Sequence, residues 1–169
     1  ELYLPEKWTS DAKLRSQARI PEAVQFKTKP QLALDMLRRA VKDKLPKGVV
    51  LADSAYGTGS AFRRAVRKLG LHYAVGVDPQ TKIWLLDPKT QLPAAKQDVR
   101  SLAFELDRGG GFRRCTWREG TKQDLSARFA ALRVVAAHDD GQPQEARDQE
   151  WLLIEWRDGE DEPANYFLS

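Results

Sequence analysis

The sequence predicts a mixed α/β fold: part of a mixed sheet with flanking helices over residues 1–80, then a mostly antiparallel β-rich region over residues 81–169. Two patterns carry this reading. In the first half an apolar run, a helical repeat and a second apolar run follow one another with short connections, the mark of a strand–helix–strand unit. In the second half short apolar runs alternate with turn-rich stretches, the mark of antiparallel strands. The 169 residues suffice for one domain with a core, or for one domain carrying a smaller module.

In chain order, Leu2-Tyr3-Leu4-Pro5 reads as the end of a strand that begins upstream. Residues 6–29 are polar and irregular, with a short helix from Thr9 to Gln17 introduced by Thr9 or Ser10. From Pro30 the pattern becomes helical. Leu34, Leu37, Val41 and Leu45 recur on one face, Thr28 is placed to cap, Pro30 fits the first turn, and Pro46 with Gly48 ends the segment.

Val49-Val50-Leu51-Ala52 then reads as a buried strand that delivers Asp53 to the edge of the sheet. After Gly57-Thr58-Gly59-Ser60, the residues Phe62, Ala65, Val66 and Leu69 share a helical face, and Gly70 stops that helix in the left-handed conformation. Leu71 to Val77 is a second strand. A strand, a helix and a strand joined this closely place the two strands parallel, with a right-handed crossover.

Beyond Asp78-Pro79 the runs Ile83 to Leu86, Phe112 to Trp117, Phe129 to Ala136, Trp151 to Trp156 and Tyr166 to Leu168 are separated by stretches such as Gly109-Gly110-Gly111 and His138-Asp139-Asp140-Gly141. Residues 88–108 have room for a helix, and Phe129 to Val135 fits either a helix or a strand. Trp84, Trp117, Trp151 and Trp156 fall in this half and read as core.

Several function classes drop out early. No apolar run approaches the roughly 18 to 20 residues of a membrane span, and the first residues lack the basic and apolar regions of a signal peptide. The single cysteine, Cys115, excludes an internal disulfide and reads as a half-buried side chain in a strand. His72 and His138 stand far apart, so the usual zinc ligand set is missing and any metal would be held by oxygen.

Charge is unevenly divided. Residues 1–80 hold 15 Lys and Arg against 8 Asp and Glu, whereas residues 81–169 hold 13 against 16. Arg63, Arg64, Arg67 and Lys68 are expected to form a basic ridge on the outer face of their helix, and Lys27 and Lys29 add to the same basic half. Phosphate contact and ordinary solvation account for such a ridge equally well.

Asp53 is the candidate site residue. Ligands in open α/β sheets gather beyond the carboxyl ends of strands, which favours chemistry at this acid. An Asp just after a strand also caps helices and closes turns. Three chemistries compete: a carboxylate of a two-metal nuclease site, a nucleotide or methyl-donor site built on Gly57-x-Gly59, and an aspartyl nucleophile. The second lacks a third glycine, and the third has Ala55 where a second acid belongs.

The segments Leu2-Tyr3-Leu4-Pro5 with Trp8, Phe26-Lys27-Thr28-Lys29-Pro30 and Ala52-Asp53-Ser54-Ala55-Tyr56-Gly57 resemble the catalytic domain of DDE-type bacterial insertion-sequence transposases. The later runs Trp117 to Gly120, Arg128 to Ala130, Trp151 to Trp156 and Asn165 to Ser169 are similar to that family's β-rich insertion. The resemblance implies an RNase H-like core at residues 1–80 and the insertion at 81–169. It also implies two Asp and one Glu binding Mg²⁺ or Mn²⁺, and transposon-end and target DNA as partners. A homodimer in a synaptic complex and a cytoplasmic, nucleoid-associated location in a bacterium belong to the same expectation. Asp53 matches the second acid, while Tyr56 and Gly57 match the turn after it. The first Asp is expected upstream of Glu1 and the Glu beyond Ser169, so the chain reads as an internal piece, inactive alone. Glu155 lies in an aromatic strand without the helical companions of the family's Glu. The alternatives are a non-catalytic DNA-binding module, using the basic face from Lys27 to Lys68, and a methyl-donor enzyme.

Overall fold

The computed structural model describes residues 2–118, 125–137 and 148–169. Helices α1 (Glu6–Ser10), α2 (Ala12–Gln17) and α3 (Lys29–Lys42) come first, followed by strand β1 (Val49–Ala52), the single turn α4 (Ser54–Gly57), α5 (Ser60–Lys68) and β2 (His72–Gly76). The rest is β3 (Lys82–Leu86), β4 (Pro93–Asp98), α6 (Val99–Arg108), β5 (Arg113–Arg118), β6 (Leu125–Ala136), β7 (Gln149–Trp156) and β8 (Asn165–Leu168). The eight strands among the described residues join one sheet in the order β1-β2-β8-β7-β6-β3-β4, with β5 beside the first half of β6. The fold is thus mixed α/β, with a mostly antiparallel sheet and flanking helices.

The strand–helix–strand unit forms as expected. β1 and β2 are parallel, with Val49 opposite His72 and Ala52 opposite Val75. Gly70 ends α5 at φ 68°, a conformation that costs glycine little. Thr28 and Gln31 build a capping box at the start of α3, with Pro30 in its first turn. Antiparallel β8 then pairs with β2 through Val75 and Leu168, so the last strand of the chain lies beside the first parallel pair.

Packing divides into two clusters. Phe62 and Val66 of α5 pack with Tyr73 and Val75 of β2, and Leu34 and Leu37 of α3 close over them. The second, larger cluster joins α6, through Val99, Leu102 and Ala103, to β3, β6, β7 and β8. Full burial of such aliphatic side chains stabilises by about 1.5 to 3 kcal/mol each.

Several local expectations need correction. Residues 2–5 are not in a strand, and the first helical segment is two short helices, the second capped by Asp11 rather than by Thr9 or Ser10. β1 is half-buried: Val50 and Ala52 face the α3–α5 layer, while Val49 and Leu51 are 57% and 75% exposed. It is an edge strand with a period of two, which three consecutive apolar residues conceal. Cys115 is exposed, as are Trp117 and Trp151; of the four tryptophans assigned to the core only Trp156 is buried, and Trp84 is partly so. Residues 113–117 of β5 are all exposed and alternate residues of β7 face away from the core, so aromatic residues there satisfy strand propensity without burial. The turn His138 to Gly141 and the run from Glu119 to Gly120 lie outside the described residues.

Helix α6 shows how side chains fix an element. The Asp98 carboxylate accepts from the Ser101 amide at 2.7 Å and from Lys82 Nζ at 3.1 Å. The Ser101 amide first, and Lys82 with it, hold Asp98 at about 2, below its ordinary 3.8. Its folded value is the lower one, so its contribution is complete above pH 3.8 and is lost as pH falls toward 2. Asp98→Ala is expected to cost about 1 kcal/mol in urea unfolding near neutrality. The difference from the parent should shrink toward zero at about pH 2.

Candidate functional site

Asp53 follows the last residue of β1 and stands, exposed, at the carboxyl end of the parallel pair. It also caps α4. Its Oδ1 accepts from the Ala55 amide at 3.1 Å, and its carbonyl accepts from the Tyr56 and Gly57 amides at 3.1 and 3.0 Å. Capping and an accessible carboxylate coexist in one residue, so the two readings of Asp53 do not exclude each other.

The turn is pressed onto the end of β2. A Cβ at Gly57 would lie 2.0 Å from the Gly76 carbonyl oxygen, and one at Gly76 would lie 3.0 Å from the Ser54 nitrogen. At Gly57 only glycine allows this approach, and at Gly76 a side chain would crowd the backbone of the turn. Tyr56 packs on Phe62 with ring centroids 5.7 Å apart, so its ring serves the core. A second acid borders the turn, since Asp78 Oδ2 accepts from Thr58 Oγ1 at 3.2 Å. With Gly57 buried against β2, the Gly57-x-Gly59 segment lacks the open backbone that a phosphate cradle requires.

The expected basic ridge separates into two sets. Arg64 and Lys68 are exposed on α5, whereas Arg63 is buried at 3% exposure and Arg67 is half-buried. At about 100° per residue, Arg63 and Arg67 border the stripe of Phe62 and Val66, and Arg64 and Lys68 lie opposite. Arg63 therefore leaves the outer face on which it was expected. Lys27 pairs with Asp35 at 2.7 Å, and Lys29 Nζ lies 5.5 Å from the Tyr3 ring centre.

The residues that sequence reasoning missed are the partners of these arginines. Glu150 of β7, also buried, accepts from Arg63 Nε at 2.8 Å and from the Tyr73 hydroxyl at 2.5 Å. Arg67 donates to the Tyr73 hydroxyl at 2.8 Å and pairs with Asp148. Burial first, then the charge of Glu150 and its hydrogen bond, pushes the Tyr73 phenol up to about 12. Glu150 stands 87 residues from Arg63, a separation across which no local pattern extends.

A mixed α/β domain with an accessible acid beyond a parallel strand pair belongs to the architectures that support phosphoryl-transfer enzymes. Residues 1–124 match the family model described as DDE superfamily endonuclease, and the chain belongs to that family. The comparison with curated proteins gave no match, and neither did the comparison with solved structures. The fold is compatible with a DDE nuclease fold, and a nuclease domain of this kind implies a DNA substrate.

Nucleases of this family usually use divalent metal, which needs several hard oxygen ligands. Asp53 is right in kind. The number falls short: no group of three or more His, Cys, Asp or Glu among the described residues could hold a metal ion. Glu155 lies within β7, where it accepts from Asn165 at 2.7 Å and from Arg157 at 3.2 Å. Among the described residues, no helix is long and apolar enough to cross a membrane.

Proposed function

We propose that the chain is part of the catalytic domain of a bacterial transposase that cleaves transposon-end DNA and transfers its strands, with Asp53 as one metal-binding carboxylate. The observation that carries this reading is the exposed Asp53 at the carboxyl end of β1, within the span that matches the DDE endonuclease family. A pair of Mg²⁺ or Mn²⁺ ions would supply activation of the attacking hydroxyl and stabilisation of the leaving oxygen. Asp53 would bind through its carboxylate, held in place by the Ala55 amide and by the seat of Gly57 on Gly76.

A divalent-metal site needs several hard oxygen ligands, and in this proposal further carboxylates outside residues 1–169 join Asp53 in it. On this reading the 169-residue chain is inactive alone. Metal-dependent cleavage of transposon-end DNA by this chain, abolished in Asp53→Ala, would overturn that. The two hydrophobic clusters support a division near residue 80 into a catalytic core and a β-rich insertion. Transposon-end and target DNA are the proposed partners, bound by two protomers in a synaptic complex associated with the nucleoid.

Among the basic residues, Arg64 and Lys68 are best placed for phosphate, being exposed one helical turn apart on α5. Lys27 and Lys29 extend the same proposal at the start of α3. Replacing Arg64 and Lys68 by Ala is expected to lower the salt dependence of DNA binding by about two phosphate equivalents, with a similar loss for unrelated sequences. An unchanged slope in a filter-binding titration would remove both residues from the interface.

A further inference from the structure

The Arg63 guanidinium is shared between two halves of the chain. On one side its Nη1 donates to the Gly57 carbonyl, and to the Thr58 carbonyl at 3.4 Å. On the other its Nε and Nη2 donate to Glu150 at 2.8 and 3.4 Å. The ion pair is buried, with side chains 3% and 7% exposed, so its geometry is not averaged by solvent. The Tyr73 hydroxyl donates to the same carboxylate and fixes it against β2.

The carbonyls that Arg63 holds belong to the turn that begins at Asp53. We propose that Arg63 and Glu150 are positioning residues for Asp53, so that a strand of the β-rich half sets the geometry of the acid displayed by the first half. The inference rests on the assignment of Asp53 as a metal-binding carboxylate. Neither residue touches substrate. Arg63 acts by fixing the Gly57–Thr58 carbonyls, and Glu150 acts by orienting Arg63. Lysine cannot replace Arg63, because a single ammonium cannot span the carboxylate and both carbonyls as the planar fork does.

The test uses the full-length protein and two variants, Arg63→Met with Glu150→Leu, and Arg63→Lys. Exchanging a buried ion pair for apolar residues of similar volume often preserves stability, so the double variant is expected to melt near the parent temperature. The amides of Tyr56, Gly57 and Thr58, which bond within the turn, are expected to exchange about tenfold faster in both variants, with β6 and β7 unchanged. The Mg²⁺ concentration for half-maximal DNA cleavage should rise by about 10- to 100-fold, the usual effect of losing an outer support of a metal ligand. A variant that folds with parental exchange at residues 56–58 and a parental Mg²⁺ requirement overturns the proposal. If the double variant fails to fold, Arg63→Lys decides alone. Asp53→Asn, run alongside, separates the two claims. Undiminished cleavage by it sinks the metal assignment, while exchange at residues 56–58 still decides whether Arg63 and Glu150 position the turn.

Discussion

Asp53→Asn in the full-length protein is expected to lower metal-dependent DNA cleavage by about a thousandfold while leaving the fold intact. Asn is as good a helix cap as Asp, so the hydrogen bond to the Ala55 amide survives and stability should change by less than about 0.5 kcal/mol. What disappears is the charge. Metal ions contribute several kcal/mol to phosphoryl transfer, and about 4 kcal/mol corresponds to about a thousandfold in rate. Single-turnover cleavage with a parallel thermal melt checks both parts. A loss of tenfold or less, with an unchanged melt, would reduce Asp53 to its capping role.

Glu150→Ala is expected to cost about 3 to 5 kcal/mol of stability, because it removes one partner of the buried ion pair with Arg63. That is a large share of the roughly 5 to 15 kcal/mol that holds a domain together. The loss should appear as a lower urea midpoint with an unchanged slope. Burial decides the size of the effect. The Lys27–Asp35 pair is equally short at 2.7 Å, but its side chains are 48% and 28% exposed, and Asp35→Ala should cost less than about 1 kcal/mol. If the two variants lose the same amount, the buried pair is not the structural tie between β7 and α5 that its geometry indicates.

The parts of the fold legible in the sequence were those with local causes. Thr28, Gln31 and Pro30 announce α3 through capping and a fixed φ, and Gly70 announces the end of α5. The order of strand, helix and strand around Asp53 was also readable, since parallel pairing follows from short connections. β4 escaped notice because Pro93-Ala94-Ala95-Lys96-Gln97-Asp98 has little strand propensity; its pairing with β3 is what makes it a strand. Arg63 was misplaced for a related reason. Arginine on a charged helix reads as solvated, and its buried partner Glu150 is too distant in sequence for a local pattern to reveal.

The candidate site divides in the same way. Asp53 was legible because a strand ends there. Its supports were not, because Gly57 owes its place to the Gly76 carbonyl and the turn owes its anchorage to a strand of the other half.

The central claim, that the Asp53 carboxylate binds metal, is tested most directly by Asp53→Cys in the full-length protein, assayed with Mg²⁺ and then with Mn²⁺. Thiolate is a soft ligand that Mg²⁺ tolerates poorly and Mn²⁺ accepts more readily. The account predicts that cleavage is lost in Mg²⁺ and partly restored in Mn²⁺. Equal cleavage by the variant in both metals, at the parental rate, would contradict it.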